Sequence, residues 1–278
     1  MRVWFITGAS RGLGALITAR ALAAGDAVVA TARDPAELRA RFAEARHFLA
    51  LPLDVTHEAS AREAVAQAVA RFGRIDVLVN NAGYGLLGAI EEASGLEVER
   101  VFATNVFGLL NVTRGALPQL RKQRSGHIIN MSSIGGYSAS TGWGIYCATK
   151  FSVEAISEAL SKEGEPLGIR TTVVEPGYFR TDFLSGGSLQ STAARIDDYA
   201  ETVGAMRTFA EGADQQQPGD PSKLADAILT LVESTTPPRR LPLGSDTVAA
   251  IEQKHQSVSQ ELAAWRTLAT STDFARGA

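Results

Sequence analysis

A tyrosine and a lysine four residues apart, Tyr146 and Lys150, are candidates for proton transfer. If residues 148–162 form a helix, both side chains lie on one face of it, about one turn apart. A free phenol has a pKa of about 10 and is a poor base at neutral pH, but a nearby ammonium favours the phenolate and lowers that value. The same spacing is common in amphipathic helices, so the pair alone leaves a structural role open.

A serine thirteen residues before Tyr146 ends an apolar run that is typical of a buried strand. The hydroxyl of Ser133 would emerge at the carboxyl end of that strand, where open α/β sheets bind their ligands. The side chain of the adjacent Ser132 would be directed differently. We therefore take Ser133 as the candidate that acts together with the tyrosine.

The first thirty residues read as strand, glycine turn and helix. Residues 2–7 are apolar and β-prone, Gly8, Gly12 and Gly14 follow, and an alanine-rich helical pattern runs to Gly25. Glycines so placed let the backbone approach a phosphate, and the helix N-terminus favours an anion. This order favours a dinucleotide-binding turn over an ordinary one.

The end of the second predicted strand, AVVATA, indicates which dinucleotide. A carboxylate there would hold a ribose 2'-hydroxyl, whereas an arginine accommodates a 2'-phosphate. The chain has Ala32 and Arg33 at this point, and Arg11 adds a second positive charge in the glycine turn. Both arginines favour NADP(H) over NAD(H), although Arg33 is also acceptable as a solvated residue before a turn.

Two further strand ends carry candidate binding residues. Asp54 follows the apolar run HFLALPL and is placed to accept from an adenine amino group, or else to serve as an N-cap or turn residue for a helix over 57–71. Residues 80–83, Asn-Asn-Ala-Gly, follow the run IDVLV. Small residues there let the backbone approach a ligand, while asparagines also satisfy loop backbone.

Composition narrows the class of protein. With 278 residues and 45% hydrophobic content the chain can bury a full core, and its net charge of -3 argues against nucleic acid as a partner. The single cysteine, Cys147, fits a cytoplasmic setting. No apolar run is long enough to span a membrane, and a strand that begins at residue 2 leaves no room for a signal peptide. The four histidines lack metal-ligand spacing, so no metal site is expected.

Five motifs together resemble those of the short-chain dehydrogenase/reductases, and the resemblance covers about residues 1–185. The motifs are residues 7–14, residues 80–83, Asn105, Ser133 with residues 146–150, and Pro176-Gly177. The resemblance implies one domain over 1–278 with a doubly wound α/β Rossmann fold, a seven-stranded and mostly parallel sheet, and helices on both faces. It also implies that the protein is a homodimer or homotetramer. Within the family, the chain should resemble the members that prefer NADP(H), such as carbonyl reductases and hydroxysteroid or retinol dehydrogenases.

The resemblance assigns catalytic roles to four residues. Tyr146 is the acid/base, Lys150 lowers its pKa and binds the nicotinamide ribose, and Ser133 orients the carbonyl. Asn105 anchors a proton-relay water, although from its residues alone the stretch VFATNVFGLLNVTR only suggests a polar helix position with a local backbone bond. We interpret Cys147 as a packing residue.

The resemblance also assigns the cofactor site. Its residues are Gly8, Ser10, Gly12, Leu13 and Gly14 at the pyrophosphate, Asp54 and Val55 at the adenine, Asn81, Ala82 and Gly83 beside the cofactor, and Pro176, Gly177 and Thr181 at the carboxamide, with Arg11, Arg33, Tyr146 and Lys150 as above.

The substrate is expected to contact a variable loop at about 178–220, which we predict to be irregular and to act as a lid. A C-terminal extension occupies about 245–278. Apolar side chains near the site suit a lipophilic or aromatic ketone or alcohol, although each is also acceptable as a core residue. They are Tyr137, Trp143, Tyr178, Phe179, Phe183, Leu184 and Met206.

The leading hypothesis is thus hydride transfer between NADP(H) and a carbonyl or secondary alcohol. A regulatory protein that binds NADP(H) without chemistry is an alternative, but it needs none of Ser133, Tyr146 and Lys150. A nucleotide-sugar epimerase or dehydratase is a third possibility, disfavoured because such enzymes have a longer substrate domain.

Overall fold

Short apolar, β-branched runs form the strands of the protein. The computed structural model describes residues 1–185 and 187–274. The strands are β1 (Val3–Ile6), β2 (Ala27–Ala32), β3 (Phe48–Pro52), β4 (Val77–Asn80), β5 (Gly85–Leu87), β6 (Gly126–Met131), β7 (Ile169–Pro176), β8 (Leu189–Ser191) and β9 (Arg240–Leu243).

Seven of these strands form one sheet in the order β3-β2-β1-β4-β6-β7-β9, and every pairing in it is parallel. The prediction of a seven-stranded sheet is confirmed, with parallel pairing throughout. The chain runs outward from β1 to β3 and then crosses back to β4 on the other side of β1. The strand order therefore reverses between β1 and β4, and ligands bind at the carboxyl ends beside such a switch point.

Helices cover both faces of the sheet, as the fold class requires. They are α1 (Gly12–Ala23), α2 (Ala36–Arg41), α3 (Glu58–Phe72), α4 (Gly95–Phe102), α5 (Leu109–Gln123), α6 (Gly144–Gly164), α7 (Ala205–Ala213), α8 (Pro221–Glu233) and α9 (Ser245–Thr270). On one face Ile17 of α1 and Ile228 of α8 join the buried core, and on the other Val65 of α3 and Val112 of α5 do so. The molecule is thus a single doubly wound α/β domain.

The variable segment is more ordered than predicted. Instead of one irregular loop, it contains β8, which pairs in parallel with β5, and the helix α7. The buried carboxylate of Glu92 joins these parts, because it binds the guanidinium of Arg207 on α7 and accepts from the backbone N–H of Ile196. The Arg207 hydrogen bond is the main reason that the pKa of Glu92 falls to about 2. The sequence did not connect Glu92 with the variable segment, because Glu92 lies about a hundred residues earlier in the chain.

The helix α9 leaves the body of the protein. Thr247 near its start is buried, but Val258, Leu262 and Trp265 lie on its exposed part, and Trp265 is 65% exposed. Residues 275–278 of the predicted C-terminal extension lie outside the described residues. Among the helices of residues 1–185 and 187–274, none is long and apolar enough to cross a membrane.

Candidate active site

Two of the three glycines in the glycine turn are packed too tightly for a side chain. Gly8 has φ of +63°, and a Cβ on it would lie 2.8 Å from the Ala82 Cα. A Cβ on Gly14, in the first turn of α1, would lie 2.5 Å from the carbonyl oxygen of Gly8. Gly12 also has positive φ but has open space around its Cα. The turn therefore brings bare backbone to the switch point of the sheet.

The N-terminus of α1 faces a cavity of about 660 Å³ at this switch point. The side chain of Arg11, the residue before the helix, makes no capping hydrogen bond, so the first N–H groups of α1 are free for an anion. Ser10, Arg11, Gly12 and Leu13 line the cavity, whereas Gly14 lies behind Gly8. The turn and helix end have the shape and polarity that a pyrophosphate requires.

Asn81 holds this turn from behind. Its side-chain amide donates to the carbonyl oxygens of Thr7 and Gly8, at 3.0 and 2.9 Å, while its backbone N–H donates to the Thr7 hydroxyl. Of the residues predicted to lie beside a cofactor, Asn81, Ala82 and Gly83 all line the cavity. The Asn81 side chain, however, braces the protein backbone.

Asp54 proves to be both a turn residue and a cavity residue. Its carboxylate accepts from the backbone N–H and hydroxyl of Thr56, at 2.9 and 2.7 Å. The N-cap residue of the following helix is His57, whose side chain makes no capping hydrogen bond. Burial alone would raise the pKa of Asp54, but the Thr56 hydrogen bonds and the nearby His57 and Arg33 charges lower it. Asp54 and Val55 line the cavity at its predicted adenine end.

Arg33 lies at this end of the cavity, whereas Arg11 and Arg41 lie beside the glycine turn. Arg33 is exposed and lines the cavity directly after β2. The guanidinium of Arg11 lies against Gly187, where a Cβ would approach to 2.9 Å from it. Arg41, at the end of α2, donates to the carbonyl oxygen of Ser10 at 3.2 Å. The sequence did not predict that Arg41 lies beside the glycine turn, because a basic residue in the last turn of a short helix is an ordinary feature.

Ser133 and Tyr146 meet at the centre of the cavity. A Cβ on Gly135 would lie 3.6 Å from both the Ser133 Oγ and the Tyr146 ring. Ser133 follows β6, and Tyr146 lies in the first turn of α6. Ser132 also borders the cavity, but its hydroxyl crowds Gly136 on the far side of the loop. The preference for Ser133 over Ser132 therefore agrees with the geometry.

Lys150 is 7% exposed and points along α6 toward the strand ends. Its ammonium donates to the carbonyl oxygen of Met131 at 2.8 Å and lies 5.7 Å from the centre of the Tyr146 ring. Burial lowers the pKa of Lys150 to about 8, opposed by the charge of Glu154. The ammonium is thus charged at neutral pH and close to the phenol.

The phenol itself is protonated at neutral pH. Burial raises the pKa of Tyr146 well above its ordinary value, and a hydrogen bond with Ser133 opposes that rise only in part. We expected Lys150 to lower this pKa, but in the protein alone burial outweighs any such effect. A buried phenol that keeps its proton suits an acid that protonates a forming alkoxide.

Asn105 lies in a turn of π-helix, Ala103–Gly108, between α4 and α5. Its side-chain amide donates to the carbonyl oxygen of Tyr84 and to the Thr149 hydroxyl, at 2.9 and 3.1 Å, and accepts from the Tyr84 N–H. The local backbone bond that the residues alone suggested is therefore wrong. Asn105 connects the loop after β4 to the helix that carries Tyr146 and Lys150. It lies behind the cavity wall, where Gly83 separates it from the lumen.

The loop after β7 closes the other side of the cavity. Pro176, Gly177 and Thr181 line it, as predicted for the carboxamide end. Asp246 of α9 braces this loop, because it accepts from the Tyr178 N–H at 2.8 Å and a Cβ on Gly177 would lie 2.1 Å from its Oδ1. Asp246 was not predicted, since a carboxylate in a helical first turn is an ordinary feature.

Aromatic side chains surround the reactive phenol. The rings of Trp143 and Phe183 lie 5.6 and 5.9 Å from that of Tyr146, and both residues line the cavity together with Tyr178, Phe179 and Leu184. Met206 packs against Gly142 and does not line it.

The prediction for Tyr137 is wrong: it lies outside the cavity, because its hydroxyl bonds His255 of α9 and its ring faces Arg240. Cys147, which we interpreted as a packing residue, is buried in a cluster with Trp143 and Tyr146, and it also borders the cavity. Polar residues that sequence reasoning missed complete the wall, among them Tyr84, Arg100, Ser140, Gln190 and Gln217. No group of three or more histidine, cysteine or acidic side chains within the described residues could hold a metal ion.

The parallel sheet with its switch point, the bare glycine turn and the serine, tyrosine and lysine in one cavity define an oxidoreductase on a dinucleotide-binding fold. Residues 2–190 match the family model described as short chain dehydrogenase. The chain belongs to the short-chain dehydrogenase/reductase family.

Several known proteins are similar over most of the chain. A 3-ketodihydrosphingosine reductase of Bacteroides thetaiotaomicron is 38% identical over 244 residues, which cover 87% of this chain and 88% of that protein. A short-chain dehydrogenase of Streptomyces avermitilis is 40% identical, with a TM-score of 0.91 over 98% of this chain and all of that one. A serine dehydrogenase solved in its closed form with NADP+ is 28% identical, with a TM-score of 0.74 over 87% of this chain and 94% of that one.

Proposed function

We propose that the protein is an NADP(H)-dependent oxidoreductase that interconverts a carbonyl group and a secondary alcohol. The observation that carries this proposal is the convergence of Ser133, Tyr146 and Lys150 on a cavity whose other end is a bare glycine turn. The glycine turn and free helix end fit a dinucleotide, and a nicotinamide cofactor supplies or accepts a hydride when bound. The relative solved with NADP+ supports that cofactor class.

The residues of the chain then have distinct tasks. In reduction, the Ser133 hydroxyl donates to the carbonyl oxygen, and the protonated Tyr146 delivers its proton to the same atom. The buried ammonium of Lys150 stabilises the negative charge left on the phenol and is placed to bind the nicotinamide ribose. Donors that are preorganised where negative charge develops stabilise the transition state more than the ground state. We propose that Asn105 positions the loop and helix that hold these groups.

We further propose that the substrate is lipophilic or aromatic. The wall around Tyr146 is formed by Trp143, Phe183 and Leu184, which favour apolar ligand surface. A relative named for the reduction of a keto lipid supports this choice.

The direct test is NADPH oxidation by the purified protein with a panel of ketones, and NADP reduction with the corresponding alcohols. Steady turnover is expected with apolar ketones. Tight NADPH binding without turnover on a broad panel would favour the regulatory alternative, and turnover of nucleotide sugars alone would favour the epimerase or dehydratase.

A preference for NADP(H) over NAD(H) is proposed from Arg33, with Arg11 and Arg41 nearby. We expect Arg33→Asp to weaken NADPH binding by roughly 10- to 100-fold, because a charged hydrogen bond to the 2'-phosphate is lost. The new carboxylate can accept from a 2'-hydroxyl, so NADH binding should strengthen and the order of affinities should reverse. Titration of both cofactors by fluorescence measures this.

Arg39 offers a matched control, since it is exposed on α2, the short helix that follows Arg33, and does not line the cavity. Arg39→Asp changes the net charge equally and should leave both affinities within about twofold. Equal binding of NADH and NADPH by the unaltered protein would contradict the role given to Arg33.

We propose a homodimer or homotetramer, which the exposed apolar side chains of α9 favour, because such patches on a protruding helix mark contact surfaces. Light scattering of the purified chain tests this, and a monomer at micromolar concentration would refute it. The cytoplasmic setting suggested by the single cysteine stays a prediction.

A further inference from the structure

A buried cluster of charges lies behind Lys150, on the side away from the cofactor cavity. Glu154 follows Lys150 by one turn of α6 and is 5% exposed, and Glu175 near the end of β7 is 1% exposed. Both carboxylates face the guanidinium of Arg240 on β9, which bonds Glu154 and lies 3.3 Å from a Glu175 oxygen. Neither acid takes part in the chemistry proposed above.

Ser132 connects this cluster to the active-site wall. A Cβ on Gly136 would lie 2.3 Å from the Ser132 Oγ and 3.1 Å from the Glu154 Oε1, so the hydroxyl and the carboxyl crowd the same point. Ser132 also borders the cofactor cavity. Glu154 is therefore one side chain removed from that cavity.

The far side of the cluster opens to solvent. A cleft of about 230 Å³ is lined by Glu154, Glu158, Arg239, Arg240 and Val173. Glu158 is half exposed there, and its carboxylate lies 3.4 Å from the Arg240 guanidinium. Tyr137 packs on the same guanidinium and bonds His255 of α9. Water can thus exchange protons with the cluster without passing the active site.

The charges around Glu154 act in opposite directions. Burial raises the pKa of Glu154, the Ser132 hydroxyl and Arg240 lower it, and the Glu175 charge adds to the rise. The net result is that the pKa of Glu154 lies well above that of an ordinary carboxyl. Lys150, whose pKa is about 8, loses its proton at mildly alkaline pH, and the Glu154 charge opposes this loss.

We propose that Glu154 is a positioning residue that keeps the Lys150 ammonium charged, from the side opposite the cofactor. The proposal rests on the function proposed above, because it matters only if that ammonium assists the phenol. Arg240 holds the carboxylate in place, and Ser132, which borders the cofactor cavity, lies beside it.

The test compares the pH dependence of kcat/KM in Glu154→Gln and the unaltered protein. Without the carboxylate, the alkaline limb should move to lower pH by about one unit, because one buried charge next to the ammonium is removed. At pH 9 the activity of Glu154→Gln should then be about tenfold lower than that of the unaltered protein at the same pH. A merely structural role would lower activity at every pH and leave the limb in place.

Glu158 is the matched control. It lies one turn further along α6 and shares Arg240, but it is half exposed. Glu158→Gln should leave the alkaline limb unchanged, and Glu154→Asp, which keeps the charge, should restore it to within about 0.3 unit. Glu154→Met is a second uncharged variant in case the amide does not fold, and it must give the same shift as glutamine.

A second readout does not need turnover. Acetic anhydride labels only the neutral amine, so mass spectrometry of the Lys150 peptide across pH reports when Lys150 loses its proton. A labelling midpoint at lower pH in Glu154→Gln than in the unaltered protein supports the inference, even if no ketone is turned over. In that case only the proposed function fails. An unchanged labelling midpoint and an unchanged alkaline limb in both uncharged variants would overturn the inference.

Discussion

The variant Tyr146→Phe is expected to lose turnover by roughly 10²- to 10⁴-fold, the range that a positioned proton donor contributes. Phenylalanine keeps the ring that packs between Trp143 and Phe183 and removes only the hydroxyl. The alkoxide formed in reduction then has no acid within the aromatic cage, since Ser133 is an oriented hydroxyl of higher pKa. Steady-state NADPH oxidation with the best ketone of the panel measures the loss.

Cofactor binding should survive this change. The glycine turn and Arg33 lie at the other end of the cavity, so the NADPH dissociation constant should change by less than about threefold. Tyr137→Phe is the matched control, because Tyr137 lies nine residues earlier and outside the cavity. That variant should keep normal turnover. Retained turnover in a purified, folded Tyr146→Phe would refute the assignment of the tyrosine.

The second large effect is expected from Gly14→Ala. The added methyl would lie 2.5 Å from the Gly8 carbonyl oxygen and 2.6 Å from the Asn81 amide nitrogen, distances that force the backbone of the turn to move. Overpacking of this kind costs about 1–3 kcal/mol, and the moved backbone is the surface that we propose binds the pyrophosphate. NADPH affinity should therefore fall by at least about tenfold.

Thermal unfolding measures the loss of stability in Gly14→Ala separately from the loss of NADPH affinity. The melting temperature of Gly14→Ala should fall by roughly 5 °C, since each kcal/mol is worth about 2–4 °C in a chain of this size. Gly95, in the first turn of α4, has open space around it and ordinary φ, so Gly95→Ala should leave both stability and affinity nearly unchanged. Unaltered NADPH affinity in Gly14→Ala would show that the turn does not carry the cofactor.

Local sequence patterns predicted most of the strands and helices that form the site. The strand, glycine turn and helix at the N-terminus, the second strand AVVATA and the strand β6 before Ser133 all form where the sequence indicated. Each depends on neighbours within one element: apolar runs or a glycine with positive φ. The residues proposed for catalysis could be named for the same reason, because Tyr146 and Lys150 share one helix and Ser133 follows the adjoining strand β6.

The errors fall where distant segments meet. Tyr137 was expected in the pocket because it is aromatic and close in sequence, but His255, 118 residues away, holds it on the outside. The irregular lid was expected because its own sequence lacks periodicity, yet Glu92 and β5 order it from outside. The raised pKa of Tyr146 follows from burial by other elements, which no local spacing reveals.

The sequence by itself therefore determined the family, the seven-stranded parallel sheet and the residues that we propose for proton transfer. Only the tertiary structure decided which side chains share the cavity, which arginines stand at the expected 2'-phosphate end, and that Glu154, Glu175 and Arg240 lie behind Lys150. The physical reason is that hydrogen-bonding type and helical or strand period are local properties of the chain. Burial and electrostatic environment are set by whichever segments pack together, however far apart they are in sequence.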